Sequence, residues 1–317
     1  MLALPNRPTE IVKLADWIEL VALMSPDGDA SGNDLEGALR AAALFPTDDE
    51  DACIERACLE VFGELEARRR AALDAYPFDV EPPVLKMARA WQQNPAYVFC
   101  LCLSYFGDRQ SGGGKRVYPR RWFEHLSRDA ARNYIGGEAV RFASPRDEEE
   151  LPKAFSRAVD RLSAGLLLEG GGFKKGGLPS PKDSGVDIIA WKHFPDRSVG
   201  KLLLFGNCAS EENWDGAKRT ELAPDAFCQE WMQEVPASRV VHTFFIPHRC
   251  ADANALAAHC RRAGIVFDRC RIAYHAVGLH RPPPAAAANH GERVAPLGDM
   301  GAWAQAIMKA SARGDRG

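Results

Sequence analysis

The stretch KDSGVDIIAWKHFPDRSVGKLLLFGNCAS, residues 182 to 210, decides the fold. Two apolar runs flank the turn signal PDRSVG, and short apolar runs around such a turn predict an antiparallel β-hairpin. With the turn centred near Arg197, residues whose numbers sum to about 394 face each other across the hairpin. Asp187 and Asn207 form one such pair. Directly opposed residues share a face of the sheet, and Ala209 follows two positions further along that face. The hairpin is therefore expected to present a small polar cluster at one end.

On the N-terminal side, a helix is expected over residues 149 to 168. Phe155, Val159, Leu162 and Leu166 form its apolar stripe, and the next step of that stripe is Glu169. A carboxylate that continues a buried face and sits at a helix C-terminus is disfavoured twice, and a nearby cation resolves both costs. The glycine-rich EGGGFKKGG then turns the chain back toward the hairpin, carrying Lys174 and Lys175. On the C-terminal side, the reading gives a helix over residues 213 to 233, a strand in SRVVHTFFIP, a helix in DANALAAHCRRA and a strand in GIVFDRCRIA. Helices alternating with strands in this way define an α/β domain, assigned to residues 147 to 280.

Residues 1 to 146 have a different texture. TEIVKLADWIELVALM, SGNDLEGALRAAALF, DEDACIERACLEVFGELEARRRAAL and PPVLKMARAWQQNPAYVFCLCLSYF each open on a helix-start residue or proline and continue as an apolar stripe. An all-helical N-terminal domain is expected, ending in a flexible basic loop with Arg109, Lys115, Arg116, Arg120 and Arg121. Residues 281 to 317 read as a Pro/Ala linker and one C-terminal helix begun by Asp299.

The 317 residues are 46% hydrophobic, enough for a substantial core. A net charge of -3 does not suggest polyanion binding through the overall field, so any nucleic-acid contact must come from a local basic patch. Nine cysteines lie scattered in apolar segments, with no run of about 18 apolar residues and no secretory pattern. The expectation is a soluble, reduced, cytoplasmic chain with no membrane partner; no feature speaks to its oligomeric state. The histidines and cysteines between His242 and His275 lack paired zinc spacing and read as buried thiols and surface imidazoles. No serine lies in a nucleophile-elbow context, and no glycine run has P-loop spacing. Asp268, Arg269 and Arg271 are assigned to an ion pair or to substrate phosphate.

An acid on a helix, an Asp opening one strand and an amide on its neighbour can together offer oxygen ligands to Mg2+. Glu169, Asp187 and Asn207 are that set. The sequence DSGVDIIAW, followed by an apolar strand ending FGNCAS, resembles the restriction-endonuclease-like PD-(D/E)XK nucleases, in particular the Mrr-like branch, over roughly residues 150 to 275. The resemblance implies a mixed sheet flanked by helices and a Mg2+- or Mn2+-dependent deoxyribonuclease acting in bacterial antiviral defence.

Asn207 stands where that branch has Glu or Gln, and Ala209 where it has lysine. The lysine role then falls to Lys218, with Lys175 and Lys182 as alternatives. Lys192 lies about 16 Å along the strand from Asp187 and on the opposite face. A lysine restored at position 209 is expected to be tolerated. Lys174, Lys175, Arg120 and Arg121 are the expected DNA contacts. The alternative is a catalytically lapsed nuclease-fold protein, a DNA-binding or scaffold subunit with a protein partner in a defence complex.

Overall fold

The hairpin forms in the computed structural model, which describes residues 2–7, 9–45, 47–88, 90–110, 116–175, 184–277 and 295–313. Lys115, Lys182 and most of the Pro/Ala stretch lie outside the described residues. The chain divides into two units. One is Met1–Pro119 with Arg269–Tyr274 and Leu297–Gly317; the other is Arg120–Asp268 with His275–Pro296.

The first unit is not all-helical. Helices α1 (Ile11–Met24), α2 (Gly32–Ala42), α3 (Glu50–Ala72) and α4 (Ala96–Phe106) accompany an antiparallel sheet of β1 (Asp29–Ser31), β2 (Phe78–Glu81) and β3 (Val84–Met87), in the order β1-β3-β2. Strands of three or four residues show too little alternation to be seen in sequence. The proline pair at 82 and 83, expected to open a helix, instead forms the tip of the β2–β3 hairpin, where Glu81 pairs with Val84. A residue without an N–H suits a helix start and a strand-free turn equally well. The α2 start follows expectation, with Ser31 and Asp34 making a reciprocal capping box.

Buried charge organises this unit. Arg68 is fully buried and pairs with Asp16, Glu19 and Glu64, each at 2.8 Å. Arg269 pairs with Asp16, and the Tyr76 and Tyr97 hydroxyls donate to Glu19 at 2.7 and 2.8 Å. Arg269 thus belongs to an ion pair and not to a phosphate site.

The second unit begins at α5 (Pro119–Ile135) and contains β4 (Glu138–Arg141), α6 (Phe155–Asp160), β5 (Ile188–Lys192), β6 (Leu202–Cys208), α7 (Pro224–Trp231), β7 (Val240–Phe245), α8 (Ala253–Ala263) and β8 (Ile265–Phe267). Its sheet is mixed, in the order β4-β5-β6-β7-β8. β4, β5 and β6 form an antiparallel meander, and β7 and β8 continue it in parallel. Ile188 pairs with Gly206 and Lys192 with Leu202, the register read from the turn. Gly206 has a packing reason: a Cβ there would lie 2.4 Å from the Thr243 hydroxyl of β7.

Several boundaries shift for local reasons. α5 and β4 belong to this unit, so it starts at Arg120 and not at residue 147. α6 runs on as a wider π-helical turn over Arg161–Leu167, ended by Leu168 at φ 57°. The long helix expected over 213 to 233 is instead a 3-10 turn, Ala217–Thr220, and then α7, which Pro224 begins afresh. The last expected strand stops at Phe267, and α9 (Arg269–Val277) follows. α10 (Leu297–Ala312) belongs to the first unit, where Trp303 meets Phe99 edge-on at 5.6 Å.

One core of the second unit joins Phe155, Leu162 and Leu166 to Ile189, Phe205, Phe227 and Trp231. A second, smaller core joins Ala209, Phe244 and Ile246 to Ala263 and Val266 of α8 and β8. These two cores fix the sheet, and polar groups are carried by Asp187, just before β5, and by the last residues of β6.

Candidate functional site

Asp187 sits just before β5, where its N–H donates to the Gly206 carbonyl at 2.8 Å. Its Oδ2 accepts the Cys208 N–H at 2.7 Å, so the carboxylate closes the open end of the β5–β6 ladder. It is only half-buried and lines a cavity of about 200 Å³ with Arg120, Phe123, Glu124, Gly185, Cys208, Ser210, Glu211, Lys218 and Glu221. Four acids face two bases there. That excess of negative charge attracts a cation.

Lys218 reaches this cavity from the 3-10 turn and pairs with Glu221 at 3.0 Å. The hydrogen bond to Glu221 raises its pKa, and the charges of Glu221, Glu211 and Asp187 act in the same direction. It is a fixed ammonium ion and not a proton acceptor at neutral pH. Cys208 is of the opposite kind: burial pushes its thiol pKa well up, with Asp187 and Glu124 adding to the effect. A neutral thiol is a poor nucleophile, which argues against cysteine chemistry in this cavity.

Asn207 does not line the cavity. It is 2% exposed; its Nδ2 donates to the Lys218 carbonyl at 2.6 Å and its Oδ1 meets His242 Nε2 at 3.0 Å. Burial lowers the His242 pKa to about 4, so the ring is neutral at physiological pH. With both ends of its amide engaged, Asn207 is not placed as a metal ligand, contrary to expectation. Ala209, next on that face, is fully buried in the apolar core around Phe244 and Val266.

Glu169 does not join Asp187. Its Oε1 accepts from Lys201 Nζ and from the Ser238 hydroxyl, and its Oε2 accepts the Ser238 N–H at 2.8 Å. Burial alone would raise its pKa, but the hydrogen bonds from Lys201 and Ser238 outweigh it and hold the pKa below the ordinary value. Lys201 and Ser238 precede β6 and β7, at the end of these strands opposite Asn207. Six residues of strand separate Lys201 from Asn207, about 20 Å, whereas ligands of one Mg2+ each lie about 2 Å from it. The expected trio of Glu169, Asp187 and Asn207 is therefore not assembled.

The acid that does accompany Asp187 is Glu124, on the first turns of α5. Its Oε2 accepts from both Nε and a terminal nitrogen of Arg141 at 2.6 Å, and Arg141 is 1% exposed. Arg141 also donates to the Pro145 carbonyl at 2.7 Å, which locks its plane. Glu124 lies inside the segment read as N-terminal helix, and nothing in its spacing pointed to the hairpin. The remaining signal was indirect: WFEHL places Glu124 between buried Phe123 and His125.

The expected DNA contacts are placed variously. Arg120 lines the cavity and pairs with Glu211 at 2.8 Å; Arg121 pairs with Asp147. Lys174 and Lys175 are exposed and line no part of the cavity, and Lys174 Nζ donates to the Gln229 carbonyl at 3.1 Å. Among the described residues, no preformed group of three His, Cys, Asp or Glu holds metal geometry, and no helix is long and apolar enough to cross a membrane. Oxygen donors with excess negative charge do fit a hard divalent cation in kind, and Asp187 and Glu124 are the lining carboxylates whose charge acts on Cys208 at the end of β6. No protein-family model matches the sequence, and no curated protein or solved structure is significantly similar to it.

Proposed function

We propose that the second unit is a restriction-endonuclease-like phosphodiesterase domain that cleaves DNA with Mg2+ or Mn2+, in the defence role that the resemblance implies. The observation that carries this reading is the convergence of Asp187, Glu124 and Lys218 on one cavity at the open end of the β5–β6 hairpin. A sheet with an antiparallel meander followed by a parallel strand, flanked by helices, agrees with it. So does the asymmetry of the hairpin, whose Asp187 end stays polar and accessible.

Asp187 and Glu124 would hold the ion. When bound, the ion lowers the pKa of a water molecule and neutralises charge on a phosphodiester. The chain's own contribution is positional and electrostatic. The Cys208 N–H and the Arg141 guanidinium orient the two carboxylates. Lys218 offers a permanent positive charge to a phosphate that has gained charge in the transition state, and Arg120, at the rim, offers a second. A phosphate entering the cavity would compete with Glu211 and Glu221 for these two cations.

One observation favours a second reading, a DNA-binding or scaffold subunit without catalysis. Position 209, where the resembled branch has lysine, is a packing position here with no room for a charge. Plasmid cleavage separates the two. With Mg2+ or Mn2+ the wild-type chain should nick or linearise DNA, and Asp187→Asn should lower the rate by about a hundredfold or more while leaving the fold intact. No cleavage of DNA by the wild-type chain with either ion would favour the scaffold reading.

A further inference from the structure

We infer that Asn207 is a positioning residue, which sets the place of Lys218 by holding its main chain. The inference rests on the reading of Lys218 as the cation of the proposed site. Lys218 belongs to a four-residue 3-10 turn, none of whose residues is buried, so the turn has no apolar anchor of its own. Two side-chain hydrogen bonds tie it to the body of the unit. One runs from Asn207 Nδ2 to the Lys218 carbonyl at 2.6 Å; the other joins Arg219 to His259 at 3.0 Å. The first acts on the residue whose ammonium ion enters the cavity.

The chemistry of the three groups fixes their orientation. A carbonyl can only accept, so the Asn207 amide must turn its NH2 toward Lys218. Its Oδ1 therefore faces His242 Nε2, and that nitrogen must carry the proton. Asn207 is thus locked from behind by a neutral His242 on β7 and acts forward on Lys218. Its place on β6, next to Cys208, refers the loop cation to the same strand end that positions Asp187.

Three measurements test this on the full chain, and none depends on cleavage. In the wild-type chain, nitrogen-15 NMR should find His242 as the Nε2–H tautomer; the Nδ1–H tautomer would overturn the orientation. In Asn207→Asp, which keeps the shape but puts an acceptor against the Lys218 carbonyl, amide exchange over residues 216 to 221 should rise roughly tenfold, with β6 and β7 unchanged. Mn2+ binding, followed by the paramagnetic signal of the free ion, should stay at the wild-type level or strengthen. Unchanged exchange in the turn would overturn the proposal, and a change in Mn2+ binding beside it would make Asn207 a ligand. Should Asn207→Asp fail to fold, Asn207→Ser is read by the same exchange experiment. If the wild-type chain binds no Mn2+ and cleaves nothing, the nuclease reading fails, while the tautomer and exchange results still decide this one.

Discussion

At the start of β6, Lys201 meets Glu169 with 0% and 2% of their side chains exposed; at its end, Lys218 meets Glu221 with nearly half of each exposed. Each pair joins a lysine to a glutamate. The first is closed, since Ser238 gives Glu169 two further hydrogen bonds and the Leu167 carbonyl accepts a second bond from Lys201. The second is open, and its lysine is shared with a cavity in which acids outnumber bases. A satisfied, water-free pair has no spare valence for a substrate, whereas an exposed pair is weakly held and can exchange partners. Identical residue types therefore serve structure at one end of a strand and a candidate site at the other.

The largest expected effect breaks the closed end. Lys201→Ala leaves Glu169 buried without its cation and should cost roughly 3–5 kcal/mol in urea denaturation. The pair also fixes a pH dependence. Because the folded pKa of Glu169 is held below the ordinary value of 4.5, its contribution is full above that pH and fades as the pH falls through the folded value. Stability of the Lys201→Ala chain should accordingly depend less on pH in the acid range than that of the wild type. Equal acid sensitivity would show that the pair does not act as described.

Ala209→Lys comes next. The expectation from the resembled family was tolerance, but the methyl group packs against Phe244, Ile246 and Val266. An ammonium ion there has no partner, and a loss of at least about 2 kcal/mol is expected in the same denaturation experiment. A stable variant with enhanced cleavage would mean that this strand end rearranges to the family pattern. The smallest effect is at the surface. Replacing Lys174 and Lys175 by Gln should leave cleavage nearly unchanged at low salt and reduce the salt slope of DNA binding by at most about 2, the most two phosphate contacts supply. An unchanged slope would assign both to solvated surface.

How much of this was legible in the sequence differs between the two ends for physical reasons. The hairpin register was legible, because a turn and a two-residue pleat fix opposed pairs by arithmetic, and Ile188 does pair with Gly206. Asp187 at the open end followed from it. Glu169 was misplaced because a 3.6-residue stripe was carried through Arg161–Leu167, where the helix widens and each residue turns through a smaller angle. The stripe did correctly imply a buried acid in need of a cation; the cation is Lys201, and no spacing rule links residues 169 and 201. Glu124 was hidden by its element, because α5 was assigned to the N-terminal run while β4, four residues long, went unseen. Lys218 lines the cavity, as its nearness to the hairpin end suggested, although its turn was expected to be a helix. The hold of Asn207 on that turn depends on His242, 35 residues further along the chain, and was beyond any local pattern.

The central claim is that Glu124, in the cavity at the open end, and not Glu169, at the closed end, serves the site with Asp187. Plasmid cleavage with Mg2+ or Mn2+, normalised to folded protein, tests it most directly in Glu124→Gln and Glu169→Gln. Glu124→Gln should lose about a hundredfold or more in rate with little change in melting temperature, since Gln still accepts from Arg141. Glu169→Gln should melt lower yet cleave close to the wild-type rate at a temperature where it is folded. A Glu169→Gln chain that is folded but inactive, beside an active Glu124→Gln, would contradict the account.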